Sequence, residues 1–382
     1  MSVAHTRYDV IVAGLGAMGS ATAYHLALRG MKVLGFDRWV PRHRHGSSHG
    51  DSRIIREMYF EHPMYVPLLG RAYELWAALG KRVDEKLLHV HGGLMIGRED
   101  GMLVSGTLRS AREHRLAHRV LSASDVKRAY PAFDLEQDLI AVVDPRAGWL
   151  DPEHCNAAHL KLAAQKGVEL RFEEATISWT ADDYGVSVAT SHATYVAEHL
   201  VLCAGARMQE LVPDLELNLE VERQAVFWME PPDADRYDPE RFPIWAYEYK
   251  PGHICYGFPN LPRGVKASIM HSGEIVEDPD AVNRSVGDEE AGTLKRAIAP
   301  VLPELSRAEI RESDVCLFTN TRDHDFVIDF HPDYRRVLVS SACSGHGFKF
   351  SSVIGEIQAD LIVDGRSKFD LQPFSITRSS IR

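Results

Sequence analysis

The apolar positions of this chain change their period along its length. Tyr8–Ala13 (YDVIVA) is a short, almost unbroken apolar run, the pattern of a strand buried on both faces. It meets Gly14-Leu15-Gly16-Ala17-Met18-Gly19, after which SATAYHLALR reads as a helix that stops at Gly30, where a capping glycine belongs. Lys32–Phe36 (KVLGF) is a second strand ending at Asp37. Strand, glycine turn, helix, strand and acid form a βαβ unit, whose crossover requires a parallel sheet. Tyr65–Leu79 and Pro152–Lys166 then repeat apolar residues at helical spacing, while Val168–Phe172, Val186–Thr190 and Leu200–Ala204 read as strands. From Val221 to His271 the texture changes. QAVFWME, PIWAYEY, HICYGF and VKASIMH are aromatic and β-branched runs divided by Pro and Gly, and predict a mostly antiparallel sheet. A helix over Glu289–Ile298, strands at Asp314–Thr319, Phe326–Phe330 and Val337–Ser341, and a helix from Phe348 to Val363 follow.

No internal repeat or low-complexity linker divides the chain. The textures interleave, which predicts two domains woven from discontinuous pieces, α/β in class and α+β overall. The 382 residues, 45% hydrophobic and 25% charged, suit a large core and exclude a disordered or fibrous protein. No apolar stretch approaches the length of a membrane span, about 18 residues. MSVAHTRYDVIVAGLG lacks the charged, greasy and small succession of a cleaved export signal. A net charge of −11 argues against nucleic acid as a partner. Cys155, Cys203, Cys255, Cys316 and Cys343 are odd in number, scattered and outside any C-x-x-C pair. Neither a disulfide framework nor a structural zinc site is expected. The expectation is a cytoplasmic protein with no metal and no membrane partner.

The glycine turn carries the first chemistry. Gly14 permits the tight turn, Gly16 lets a diphosphate approach the backbone, and Gly19 lets helix and strand pack closely. The amides opening the helix then face phosphate charge. Asp37, ending the second strand, can accept from both ribose hydroxyls and would repel a 2′-phosphate, so FAD or NAD is expected over NADP. The next segment leans towards FAD. Residues 38–56 (RWVPRHRHGSSHGDSRIIR) hold Arg38, Arg42, Arg44, Arg53 and Arg56 with three histidines, a basic run in an acidic protein and a candidate anion-binding loop beside the diphosphate.

Near the other end, Val337–Ser341 runs into Ser344-Gly345-His346-Gly347 and a helix, which aims N-terminal amides at whatever lies above the turn. Lys349 falls in the first turn of that helix, where the dipole disfavours a cation and an anionic partner is implied. Arg56 could supply a second, bidentate arm, although the residues alone read more readily as two surface cations. Two rival motifs are weak. Gly46-Ser47-Ser48-His49-Gly50 matches G-x-S-x-G but follows no core strand, as a nucleophile elbow requires. His89 and His91 would share a strand face without a carboxylate or cysteine to complete a metal site.

GSSHGDSRIIR (46–56), VCLF (315–318) and CSGHGFKFSS (343–352) together resemble the monomeric sarcosine oxidase and N-methyltryptophan oxidase family, flavin-dependent oxidases of secondary amines in the D-amino-acid-oxidase-like group. The likeness runs from Tyr8 to FSITR (374–378). It implies a Rossmann-like FAD-binding domain built from 1–85, 150–218 and 322–382. A substrate domain on an antiparallel sheet would come from 86–149 and 219–321. Carried over residue by residue, it implies that Cys316 attaches the flavin through a thioether to the 8-methyl group, with Cys343 as the competing thiol. Arg56 and Lys349 would hold the substrate carboxylate, and Lys266 would activate oxygen. Arg53 and His346 would line the flavin site, Tyr256 and His271 would approach the substrate, and Ser47, Gly345, Gly347 and Lys349 would join Gly14, Gly16, Gly19, Asp37 and Arg53 around the cofactor.

The implied reaction transfers a hydride from a neutral secondary amine bearing a carboxylate; the imine then hydrolyses and O2 reoxidises the flavin, giving H2O2, in a monomeric enzyme. Three positions depart from the family pattern. Phe318 replaces a tyrosine, His271 lies one residue farther from Lys266, and Trp245-Ala246-Tyr247 replaces a smaller segment, which predicts a different pocket size. Alternatives are a dehydrogenase passing electrons to a carrier, an oxidase of fructosyl amino acids or pipecolate, and a non-catalytic flavin-binding scaffold.

Overall fold

The first strand, Tyr8–Ala13, lies inside an eight-stranded sheet, parallel to Thr194–Leu202 on one side and to Val33–Phe36 on the other. Glu169–Arg171 extends the parallel part beyond Val33–Phe36, and Val337–Ser341 adds to Thr194–Leu202. The computed structural model describes residues 7–381; residues 1–6, part of the stretch assessed for an export signal, and Arg382 lie outside the described residues. Val10, Ile11 and Val12 are fully buried, as a strand covered on both faces demands.

Helix Ala17–Leu28 packs between Pro152–Gln165 and Ser351–Asp364 on one face of this sheet. Thr22 and Gln358 hydrogen-bond across the packed helices at 2.6 Å, and Gln358 Nε2 donates to Ser340 Oγ, so these two buried side chains are partnered. The last helix begins later than its sequence pattern predicts. Phe348–Phe350 forms a 3₁₀ turn and the α-helix starts at Ser351, so Lys349 precedes the helix.

The second large sheet has nine strands. Glu220–Met229, Gly264–Ile269, His253–Leu261 and Ile244–Lys250 are its antiparallel centre, and Ile310–Asn320 runs along the outer side of Glu220–Met229. Gly93–Gly97 joins Ile244–Lys250 in parallel. Strand alternation corrects the expectation about residues 245–247. Trp245 and Tyr247 point into the far core with Phe133 and Phe242, while Ala246 packs on the opposite face. A small sheet of Arg53–Ile55, Gly148–Leu150 and Leu88–Val90 lies apart from the two large ones.

Helices Met102–Glu113 and Ala123–Ala129 are not in the sequence-based expectation, although Leu103, Val104, Leu108 and Ala111 recur at helical spacing and Ser122 with Asp125 forms a capping box. The first carries Gly106 and two serines and forms where packing rewards it: a Cβ at Gly106 would meet the Phe60 carbonyl oxygen at 2.3 Å.

Beneath the first sheet, burial holds His25 neutral down to about 4, and the fully buried His159 well below its usual range. The unfolded chain takes up protons at these positions near pH 6.5, so the native state loses stability as pH falls from about 6.5 towards 4. Each group contributes up to about 1.4 kcal/mol per pH unit. Thermal unfolding should therefore shift to lower temperature across that interval, and a His25→Gln, His159→Gln variant should flatten the dependence. A midpoint unchanged between pH 6.5 and 4.5 would contradict this account.

Candidate active site

One elongated cavity of about 380 Å³ runs from Asp37 and Trp39, past the glycine turn, to Arg56, Glu61 and Lys349. Its first end is set by the three turn glycines. Gly14 has φ +92°, a Cβ on Gly19 would strike the Gly14 carbonyl oxygen, and a Cβ on Gly16 would meet nothing within 4 Å. Gly14 and Gly19 serve the protein's own packing, and Gly16 leaves space for a ligand. Helix Ala17–Leu28 has no side-chain cap, so its opening amides are left for an anion. Asp37 accepts from the Leu15 amide at 2.8 Å and the Trp39 amide at 2.9 Å, which fixes its carboxylate at the cavity wall.

The basic segment 38–52 has neither helix nor strand, so Ser47 and Ser48 lack the setting of a nucleophile elbow. Arg38 pairs with Asp280 and Arg44 with Asp314, leaving Arg42 as the arginine of this run without an ion-pair partner among the described residues. Arg38, Arg42, His43 and His45 line the cavity.

Its middle is organised by Arg53, which lines the cavity. Nη1 donates to the Ser52 carbonyl and Nη2 to the Ser47 carbonyl, both at 2.8 Å, and Nη2 reaches Cys316 Sγ at 3.3 Å. Cys316 is buried on strand Ile310–Asn320, opposite Gln224. Burial pushes its thiol up, but Arg53, His49 and Lys266 outweigh that and lower it to about 6. His49 Nε2 lies 3.6 Å from Sγ and 3.4 Å from Asp314 Oδ2, which in turn accepts from Arg44. Burial pulls His49 down, yet Cys316 and Asp314 raise it to about 9. Its Nδ1 is buried without a partner, which opposes that second proton.

Of Arg53, Cys316 and His49 only Arg53 lines the cavity; Cys316 and His49 sit behind it, and so does Lys266. Its fully buried ammonium donates to the Gly50 carbonyl at 2.6 Å and the Ser52 carbonyl at 2.9 Å, over the rings of Phe258 and Trp228. Burial, reinforced by Arg53, lowers it to about 7.

At the far end, Arg56 is buried. Its Nη2 is held by both Glu61 oxygens at 2.6 Å, its guanidinium lies over Tyr59 at 4.2 Å and Phe60 at 4.5 Å, and its Nη1 has no partner. Lys349 Nζ donates to the His346 carbonyl at 2.7 Å, and burial with the Arg56 charge lowers it to about 7. His346 is locked. Nε2 faces the His324 carbonyl at 3.0 Å and must carry the hydrogen, so Nδ1 accepts from Tyr59 Oη at 2.7 Å. Burial lowers His346 to about 3, and a neutral ring with both nitrogens engaged steadies the turn rather than moving protons.

Gly345 has φ +75° and packs against Phe318 and His271, and a Cβ on Gly347 would strike the Ala342 carbonyl oxygen, so both glycines serve the turn's own packing. Tyr256, Phe318 and Cys343 line the cavity. His271 does not. The left-handed backbone there (φ +50°) swings its ring to Glu222, which it meets at 3.0 Å, and Met270 lines the cavity instead. His89 and His91 sandwich the Trp149 ring at 4.9 and 5.0 Å, an aromatic stack rather than a metal site.

Glu61, Tyr59 and the Asp314–His49 pair have no part in the sequence-based expectation. Asp314 had a usable signal, since it shares a strand face with Cys316 two residues on and is an acid in an apolar strand. Glu61 had none. The ligand-ready helix start, the open face of Gly16, the fixed carboxylate of Asp37 and the unpartnered Arg56 Nη1 fit an anionic dinucleotide extending into a second compartment, as FAD would.

Comparison with known proteins agrees with this geometry. Residues 9–361 match the family model described as FAD dependent oxidoreductase. The chain is 40% identical over 376 residues to a monomeric sarcosine oxidase of Streptomyces avermitilis, covering 97% of each. It is 32% identical to an N-methyl-L-tryptophan oxidase of Escherichia coli, covering 97% of this chain and 99% of that one. Among solved structures, NikD, an unusual amino acid oxidase essential for nikkomycin biosynthesis, superposes with a TM-score of 0.84 at 26% identity over 97% of each chain. A fructosyl amine oxidoreductase of Aspergillus fumigatus, at 18% identity and a TM-score of 0.81 over 99% of this chain and 91% of that one, shares the fold.

In flavin-free protein, His49→Asn should move the Cys316 titration from about 6 towards the ordinary 9, by about one unit or more. Ultraviolet thiolate absorbance reads it directly. Asp314→Asn should shift it in the same direction by less. A titration that neither change moves would leave Arg53 and Lys266 as its only causes.

Proposed function

This chain belongs to the FAD-dependent oxidoreductase family, and from that premise we propose that it is an oxidase of secondary amines that carry a carboxylate. The observation that carries this is the pair of buried cations, Arg56 and Lys349, at the end of the cavity that begins at the dinucleotide turn. The similarity to sarcosine and N-methyltryptophan oxidases supports the same substrate class. When bound, the flavin supplies a two-electron acceptor that takes hydride from the carbon beside the nitrogen and yields the electrons to O2 as H2O2.

The chain's own residues do the rest. Arg56 Nη1 and Lys349 Nζ bind the carboxylate, and Tyr59 and Phe60 keep the guanidinium flat beneath it. Glu61 holds Nη2, so Arg56 stays charged and oriented before substrate arrives. Neither Tyr256, whose hydroxyl burial raises, nor His346 accepts the amine proton, so the site takes the neutral amine and orients it. Cys316, poised as a thiolate by Arg53 and His49, would anchor the flavin, its sulfur replacing a hydrogen of the 8-methyl group while the two electrons released pass to the flavin and then to O2. Lys266 presents a buried positive charge behind Arg53, which stabilises the negative charge that develops as O2 is reduced. Five free cysteines, four of them buried, suit an enzyme of a reducing compartment such as the cytoplasm.

An oxygen electrode with peroxide detection tests the reaction: oxygen uptake and peroxide should appear together with an N-methyl amino acid. Reduction of an artificial carrier without peroxide would mark a dehydrogenase instead. Lys266→Met should slow reoxidation by O2 at least 100-fold while anaerobic bleaching changes little; equal losses in both would remove Lys266 from the oxygen step. Because Lys349 titrates near 7 before an anion binds, affinity for an amine-free carboxylate inhibitor should fall as pH rises from 7 to 9. Lys349→Met should bind weakly and lose that pH dependence.

A further inference from the structure

The apolar wall beside the carboxylate end carries information about the substrate side chain. On strands Ile244–Lys250, His253–Leu261 and Gly264–Ile269, Ala246 stands opposite Tyr256 and Tyr256 opposite Ser268. Alternation puts Ile254 and Phe258 on that same face. Ala246, Ile254, Tyr256, Phe258 and Met270 line the cavity and pack with Phe60, the ring under Arg56. Phe318 also lines the cavity, from strand Ile310–Asn320.

Polar groups on this wall are few. Ser268 Oγ is buried and already donates to the Ala225 carbonyl at 2.6 Å, and Glu61 is taken up by Arg56. The Tyr256 hydroxyl remains. A polyol chain enclosed here would leave several hydroxyls unpartnered, whereas a hydrocarbon side chain would bury apolar surface against matching walls. Ala246 projects only a methyl group into the row, because the bulky Trp245 and Tyr247 beside it face the other core.

We propose that the enzyme selects secondary amino acids with a bulky apolar side chain, N-alkylated or cyclic, over sarcosine and over sugar-bearing amines, and that Ala246 is the residue that admits them. This rests on the oxidase reading above. The test uses holoenzyme with sarcosine, N-methylleucine, N-methylphenylalanine, pipecolate and fructosyl-glycine, followed by anaerobic flavin bleaching. A second arm needs no turnover: tryptophan fluorescence titration with thioether analogues, (methylthio)acetate against 2-(methylthio)-4-methylpentanoate.

The bulky apolar members should bleach the flavin with at least tenfold greater efficiency than sarcosine or fructosyl-glycine. The branched thioether should bind at least tenfold tighter, equivalent to about 1.4 kcal/mol. Ala246→Phe should abolish that preference, and Ala246→Val, the gentler change, should halve it or more. Equal or better performance by sarcosine or fructosyl-glycine overturns the proposal and leaves the oxidase intact. Bleaching by none of the five overturns both.

Discussion

Buried positive charge is the constraint on which this site depends. Arg56, Lys266 and Lys349 are buried and Arg53 is half-buried along one cavity and the layer behind it, a costly arrangement unless anions or carbonyl oxygens surround them. The protein supplies only part of that compensation: the Ser47, Gly50, Ser52 and His346 carbonyls, Glu61, and the Cys316 sulfur. The two lysines respond by releasing protons more readily. Arg56 keeps its charge and leaves one nitrogen unmatched. Under the proposed reading, anionic groups from outside would complete such a cavity, phosphates at one end and a carboxylate at the other.

The scaffold explains why these groups can be held so closely. Arg53 lies on a short strand of the small sheet, Cys316 and Lys266 on strands of the large antiparallel sheet, and Lys349 in a 3₁₀ turn leading into a helix of the parallel half. Each side chain is fixed by an element that has its own packing reasons to exist. Positioning therefore does not depend on the ligand.

Much of the fold was legible because it follows from local pattern. The βαβ unit, the switch to aromatic strands after Val221 and the closing helix are all set by periodicity and glycine punctuation. The backbone of the glycine turn was legible too, with its tight turn at Gly14, its close packing at Gly19 and an open face at Gly16. What escaped depends on contacts between distant segments. Helix Met102–Glu113 owes its place to the backbone at Phe60, and Glu61 finds Arg56 through a loop with no period. The orientation of Trp245 and Tyr247 followed from strand alternation, but which face met the cavity was fixed only by the neighbouring strands. His271 shows the same limit, since one left-handed residue at a strand end turns a ring aside.

The sulfur of Cys316 has a consequence for how the molecule matures. Its acidity comes from a guanidinium and an imidazole more than 250 positions earlier in the chain, brought to it when the loop at Ser47–Arg53 closes over strand Ile310–Asn320. In a nascent or chaperone-held polypeptide those partners are far away, and the same thiol is an ordinary, sluggish nucleophile. Chemical reactivity at this one atom thus switches on only after these distant segments have closed together, so under the covalent attachment proposed above cofactor capture would act as a checkpoint on completed folding.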